Sequence, residues 1–293
     1  MAKNAASNNA LAVLPPPIIR NWLPTDEPRA VVIALHSFGD YSAAFDQLGP
    51  WFAAQGIAVY SWDQRGFGSN INAGKWPGKD ALESDLITRV NEIAQRHDAP
   101  LFILGESLGG AVAINVAARN PQLPIDGLIL AAPAVREGIT ARYGWNVAIG
   151  AAALVRPGYL LNVERHEDDP RFSAHAAQRL ANDPLVQRNV RMDHYQGLIR
   201  YADRASDIAD TLNTPTLLLY GGADGSVPAI SIERLHQHLG NISTYHFYPG
   251  GPHLLLQGAQ WQQVVNDINL WISEQIQTDR TPDPAELLYQ PAH

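Results

Sequence analysis

The chain has 293 residues, of which 46% are hydrophobic, so it is long and apolar enough to bury a sizeable core. Its formal net charge of -8, from 21 Lys and Arg against 29 Asp and Glu, leaves no excess of positive charge for binding nucleic acid. The absence of cysteine excludes disulfides, thiolate nucleophiles and cysteine-ligated metal sites.

Residues 1–23 are predicted to form an extended N-terminal segment. Pro15, Pro16 and Pro17 disfavour a helix, and no apolar run is long enough for a signal-peptide core or a membrane span. We expect a soluble protein, cytoplasmic by default, unless an export signal has been trimmed from this end. The compartment stays open.

Six apolar runs predict strands, and the segments between them have helical periodicity. The strands are Ala30–Leu35, Ile57–Trp62, Leu101–Leu104, Leu128–Ala131, Thr216–Tyr220 and Thr244–Phe247. The helices are Leu82–Gln95, Leu108–Ala118, Ile230–His238 and Gln260–Gln275. This alternation predicts an α/β fold with a mostly parallel central sheet flanked by helices. In such a sheet, the residues that follow the strands converge on one edge, where ligands bind.

The alternation is interrupted between residues 134 and 201. We expect this stretch to be a helical cap without strands, inserted into a core of residues 24–133 and 202–277, and we expect 278–293 to be a tail. A cap in this position would cover the carboxyl edge of the sheet. Its apolar side chains either line a substrate tunnel or pack the cap's own core; the lining candidates are Trp145, Leu154, Leu160 and Leu161.

The motif GESLGG at residues 105–110 follows a buried strand and opens an Ala-rich helix. In that setting G-x-S-x-G predicts a nucleophile elbow, because flanking glycines let the backbone pass a strained serine turn. Ser107 is therefore the candidate nucleophile. The backbone N–H of Leu108, at the helix N-terminus, is a candidate oxyanion donor.

A serine nucleophile needs a base, and an acid to orient that base. Asp224 lies just after a predicted strand, in the run LLLYGGAD, and His253 lies just after the next predicted strand, in the run PGGPH. The chain order serine, acid, histidine is the order found in enzymes whose serine lies in a nucleophile elbow. The alternatives are that Asp224 only forms an Asx-turn and that His253 is a surface histidine.

The loop HSFGDYS follows the first predicted strand and contains a candidate for the second oxyanion donor, the backbone N–H of Phe38. We expect the side chain of His36 to be structural. His236 and His238 are two residues apart and so do not share a helix face, and we predict no metal site and no cofactor.

The motifs HSFGDYS, YSWDQRGFG, GESLGG, LLLYGGADGSVP and PGGPHLLL together resemble the monoglyceride lipase and lysophospholipase branch of the α/β-hydrolases, also called serine aminopeptidase-like hydrolases. The resemblance runs from about Pro24 to Ile276. It implies a triad of Ser107, Asp224 and His253, and a cap that follows the sixth strand of the standard fold. Two features depart from the family: Ser37 stands where the family has glycine, and residues 14–23 are too short for the family's leading hairpin.

The resemblance also implies the substrate class, a small ester with one acyl chain, of the monoacylglycerol or lysophospholipid type. The expected reaction is acyl transfer to water through an acyl-enzyme. The cap would then make transient contact with a membrane surface; the oligomeric state is left open. Alternatives that use the same residues are an aminopeptidase, a thioesterase or a carbon–carbon bond hydrolase, and a non-enzymatic binding protein on this fold.

Overall fold

The computed structural model describes residues 16–17, 20–78, 80–139 and 142–278. Most of the predicted N-terminal segment 1–23 and nearly all of the predicted tail 278–293 lie outside the described residues.

The described strands form one large sheet and one small pair. They are β1 (Arg20–Trp22), β2 (Ala30–Leu35), β3 (Ile57–Ser61), β4 (Leu101–Glu106), β5 (Gly127–Ala131), β6 (Leu160–Asn162), β7 (Asn189–Arg191), β8 (Thr216–Gly221) and β9 (Ser243–Tyr248). The large sheet has the order β1-β3-β2-β4-β5-β8-β9, and only β1 runs antiparallel to its neighbour. All six predicted strands are confirmed, and β1 is a short addition at the edge.

Helices cover both faces of this sheet. They are α1 (Leu48–Ala54), α2 (Ala81–Ala94), α3 (Leu108–Arg119), α4 (Arg142–Val155), α5 (Ala174–Asn182), α6 (Met192–Ile208), α7 (Ala229–Leu239) and α8 (Trp261–Thr278). The four predicted helices are confirmed as α2, α3, α7 and α8. The short α1 follows a 3-10 helix at Ser42–Phe45, and its seven residues are too few for a clear helical period.

The sheet separates two hydrophobic layers. Along β2, Val31 and Ile33 pack against the helices of one face, and Val32 packs against α1 and α8 on the other. Every residue of β2 is buried, which is why the strand reads as a continuous apolar run. The buried parallel strands therefore supply a rigid platform, and the loops at their carboxyl ends carry the candidate site.

The segment between β5 and β8 differs from its prediction in two respects. The expectation of a cap without strands is wrong, because β6 and β7 form an antiparallel pair, each only three residues long. The expected boundary after residue 201 falls inside α6, which continues to Ile208. The helix is continuous because Tyr201, Ala202 and Ala205 are buried in the core layer beside α3. In the described part of the chain, no helix has both the length and the apolarity to cross a membrane.

Candidate active site

Ser107 lies in a sharp turn between β4 and α3. Its backbone adopts φ 52° and ψ −109°, which residues other than glycine rarely do. A Cβ added at Gly109 would lie 2.1 Å from the carbonyl oxygen of Leu35, and one added at Gly105 would lie 2.5 Å from the backbone of Gly109. Both positions therefore require glycine, because the neighbouring backbone passes too close to leave room for a Cβ. This close packing places Ser107 at the N-terminus of α3.

Gly109→Ala is expected to lower the free energy of unfolding by about 1–3 kcal/mol, because the new methyl overpacks the contact between α3 and β2. Gly144→Ala is the matched control: a Cβ there meets nothing within 4 Å, and alanine favours the helix. Thermal unfolding measures both. A Gly109→Ala midpoint equal to that of the wild type would contradict the packing argument.

The structure brings the three predicted residues together at the carboxyl edge of the sheet. Nε2 of His253 lies 2.9 Å from Oγ of Ser107, and Nδ1 of His253 lies 2.8 Å from Oδ2 of Asp224. The other oxygen, Oδ1 of Asp224, accepts hydrogen bonds from the backbone N–H groups of Ser226 and Val227 at 2.7 and 3.0 Å. The Asx-turn is therefore present, and it leaves Oδ2 facing the imidazole.

These contacts assign the protons on His253. A carboxylate only accepts hydrogen bonds, so Nδ1 of His253 carries the proton that is donated to Asp224. In the neutral imidazole, Nε2 is then an acceptor, and it faces the hydroxyl of Ser107. The Asp224 side chain is fully buried and that of His253 is 18% exposed, so the pair is largely shielded from water. This arrangement can take a proton from Ser107.

His36 has a structural position, as expected. Nδ1–H of His36 donates to the carbonyl oxygen of Ser37 at 2.9 Å, and the backbone N–H of Gln64 donates to Nε2 at 2.9 Å. Burial lowers the pKa of His36, which agrees with a neutral ring. The ring thus locks the loop after β2 to the loop after β3.

Ser37 stands where the resemblance leads one to expect glycine. Among the described residues, the only non-glycine positions with positive φ are Ser107 and Ala132. Ser37 therefore does not occupy a backbone conformation that requires glycine, and this loop accommodates the substitution without that strain.

Phe38 and Leu108 follow adjacent strands, since β2 pairs directly with β4. Leu108 is the first residue of α3, so its N–H has no acceptor within the helix. Over the described ranges, the N–H of Phe38 enters no hydrogen bond with backbone or side chain. Within the described ranges, neither predicted donor has a hydrogen-bond acceptor in the protein, and both follow strands that end at the same edge of the sheet.

The predicted tunnel residues lie mostly on the outer surface. Trp145 and Leu154 of α4 are 63% and 85% exposed, Leu160 of β6 is 53% exposed, and Leu161 is partly buried. The first three do not line an enclosed tunnel, which corrects that part of the prediction. The reason is that α4 turns Asn146, Ile149 and Ala153 toward the rest of the protein and leaves Trp145 and Leu154 on its outer face.

A buried polar cluster beside the elbow was missed by reasoning from motifs. It contains Glu106, Asp40, Arg179 and Gln257, whose side chains hydrogen-bond to one another. Glu106 lies inside the elbow motif and ends an otherwise apolar buried strand. A carboxylate in that position was the available signal, because buried acids need specific partners.

Comparison with known proteins identifies a family to which this sequence is similar. The family model described as serine aminopeptidase, S33, matches residues 26–280. Human monoglyceride lipase is 26% identical over 282 residues, covering 90% of this chain and 89% of the lipase. The monoacylglycerol lipase of Mycolicibacterium smegmatis is 26% identical over 260 residues, covering 86% of this chain and 90% of that protein.

The solved structures agree in architecture. The crystal structure of Paleococcus ferrophilus monoacylglycerol lipase matches with a TM-score of 0.71 at 21% identity, covering 87% of this chain and 98% of that chain. At this identity the likeness shows the fold alone. Since the family match spans most of the sequence, the chain belongs to the serine aminopeptidase S33 family of α/β-hydrolases.

Proposed function

We propose that Ser107, His253 and Asp224 act as a catalytic triad in this chain, a serine ester hydrolase similar to monoacylglycerol lipases. The observation that carries the proposal is the unbroken hydrogen-bonded path from the Ser107 hydroxyl through the imidazole to a buried carboxylate. This path occurs at the end of the sheet, where open α/β folds bind ligands.

In the proposed acylation step, Oγ of Ser107 attacks the ester carbonyl carbon while Nε2 of His253 takes the hydroxyl proton. The negative charge that develops on the carbonyl oxygen is stabilised by the N–H groups of Phe38 and Leu108 and by the N-terminus of α3. The imidazolium is stabilised by Asp224. Collapse of the intermediate expels the alcohol, which receives the proton from His253.

Deacylation repeats these steps with water as the nucleophile. His253 takes a proton from water, water attacks the acyl carbon, and Oγ of Ser107 leaves with the proton from the imidazolium. The same two N–H groups stabilise the second oxyanion. The carboxylic acid product departs and the enzyme is restored.

We propose a monoacylglycerol or a lysophospholipid as the substrate. The names of the relatives and the family resemblance support this class. The test is a panel of p-nitrophenyl esters of increasing chain length, followed by monoacylglycerol and lysophospholipid, with aminoacyl p-nitroanilide, thioester and β-diketone substrates alongside. Preferential cleavage of an amide, thioester or carbon–carbon substrate would replace the proposed class, and failure of a fluorophosphonate probe to label Ser107 would favour a binding protein.

We also propose that the outer face of the cap makes transient contact with lipid surfaces. Exposed apolar side chains are concentrated there, and such patches mark interaction sites; they are Trp145, Val147, Leu154, Val155, Tyr159, Leu160 and Val163. A lipid surface is the partner that fits a lipase-like enzyme, because its substrate resides in such a surface.

The double variant Trp145→Ser with Leu154→Ser is expected to weaken binding to phosphatidylcholine vesicles by about tenfold or more, because two large apolar side chains no longer enter the lipid. Cleavage of water-soluble p-nitrophenyl acetate should stay unchanged. Ile71→Ser, which removes a 98% exposed apolar side chain outside the cap, is the control for general surface polarity. Vesicle sedimentation measures binding, and equal weakening in the control would remove the proposed role of the cap.

A further inference from the structure

Glu106 is a fully buried carboxylate next to Ser107, and both of its oxygens bind the loop that carries His253. The backbone N–H of Leu256 donates to Oε1 at 3.0 Å, and Nε2–H of Gln257 donates to Oε2 at 3.2 Å. Leu256 and Gln257 follow His253 by three and four residues. Glu106 therefore joins the elbow directly to the segment that holds the base.

Gln257 extends this connection to the cap. Its Nε2 also donates to Oδ2 of Asp40 at 3.0 Å, and its Oε1 accepts from Nη2 of Arg179 at 2.6 Å. Arg179, on α5, forms a bidentate ion pair with Asp40 at 2.7 and 2.8 Å. Because Arg179 only donates and both carboxylates accept, the orientation of the Gln257 amide is determined.

Backbone contacts reinforce the same junction. The N–H of Ser173 donates to the carbonyl oxygen of Gln257 at 3.0 Å, and the N–H of Ala259 donates to that of Arg171 at 2.9 Å. The segment after His253 is thus held from one side by Glu106 and from the other by the cap.

Four charged or titratable side chains surround Glu106, namely Asp40, Arg165, Arg179 and His253. The pKa of Glu106 is raised to about 7, chiefly by burial and in small part by the Asp40 charge, while the hydrogen bonds from Leu256 and Gln257 and the charge of His253 oppose this rise. Arg165 of the cap also interacts with the Glu106 charge, and Arg179 lies beyond Gln257. Burial raises the pKa of Asp40 as well, but the charge and hydrogen bonds of Arg179 outweigh this and lower it.

We propose that Glu106 is a positioning residue for His253, acting through Leu256 and Gln257, and that Arg179 extends this hold to the cap. This inference rests on the proposed hydrolase function. The ionised form of Glu106 is the one that holds the loop, because Leu256 and Gln257 both present donors to it. A protonated carboxyl group would turn a donor toward one of these donors and weaken that contact.

The variant Glu106→Gln tests the proposal, because a glutamine amide resembles the protonated carboxyl group in presenting one acceptor and one donor. At pH 8.5, kcat should fall by about 10- to 100-fold through misplacement of His253. KM should change by less than about threefold, since Glu106 does not touch the substrate. Toward pH 6, the wild-type kcat should approach that of the variant, because wild-type Glu106 becomes protonated.

Glu83→Gln is the matched control, since Glu83 is a buried carboxylate bound to Arg119 and Arg204 away from the elbow. It is expected to lower the unfolding temperature and leave kcat and its pH profile unchanged. Wild-type kcat and an unaltered pH profile in Glu106→Gln would overturn the proposal. Equal changes in kcat for Glu106→Gln and Glu83→Gln would also overturn it.

Amide hydrogen exchange of residues 253–258 provides a second measurement that needs no substrate. Glu106→Gln and Gln257→Met are each expected to accelerate exchange in this segment, and the double variant should add little to either. Unchanged exchange in both single variants would overturn the positioning role. If exchange accelerates in the variants but the wild-type protein cleaves no ester, the positioning role is supported and only the proposed hydrolase function fails.

Discussion

Ser107→Ala is expected to abolish ester hydrolysis while leaving the fold intact. Without Oγ no acyl-enzyme forms, and removal of such a nucleophile typically lowers kcat by about 10⁶-fold. The backbone contacts of the turn remain, because Ala111 and Ala134 donate to the carbonyl oxygen of residue 107 whatever its side chain. Alanine also meets the same φ of 52° that serine already tolerates.

Steady-state hydrolysis, fluorophosphonate labelling and circular dichroism together check this expectation. Loss of both hydrolysis and labelling with an unchanged spectrum is the expected result. Turnover that persists at the wild-type rate would refute Ser107 as the nucleophile.

Asp224→Asn is expected to lower kcat by about 10⁴-fold with little change in stability. Two backbone N–H groups hold Oδ1 of Asp224, so an asparagine oxygen would take that position. The asparagine NH₂ would then face Nδ1 of His253 and donate to it. That contact places the imidazole proton on Nε2, so His253 can no longer accept the proton of Ser107.

The matched control for this change is Asp207→Asn, which alters a half-exposed carboxylate paired with Arg142. It is expected to keep full activity, because that ion pair lies at the surface. A proton NMR signal from the His253 Nδ1–H should disappear in Asp224→Asn and persist in the control. Retention of both activity and signal in Asp224→Asn would refute the orienting role of Asp224.

The predicted core agrees closely with the structure, whereas the cap agrees only in its helices, because the strand pair β6 and β7 was not predicted. Buried parallel strands such as β2 and β8 are apolar at almost every position, so their sequences alone identify them. β6 and β7 are three residues long and partly exposed, which leaves no recognisable alternation. The apolar residues of α4 likewise gave no indication of whether they face the core or solvent.

The sequence by itself determined the six buried core strands, the glycine-flanked turn and the choice of Ser107, Asp224 and His253 as candidates, because each depends on a short local pattern. Glycine at 105 is required by the backbone of Gly109, only four residues along the chain, whereas glycine at 109 is required by Leu35 on the neighbouring strand β2. Only the tertiary structure decided how these residues meet, and which others join them. Asp40 and Gln257 are 217 positions apart and bind each other only because parallel strands deliver both loops to one edge of the sheet. No local pattern encodes such a contact, so the hold of Glu106 on the His253 loop emerges only from the folded chain.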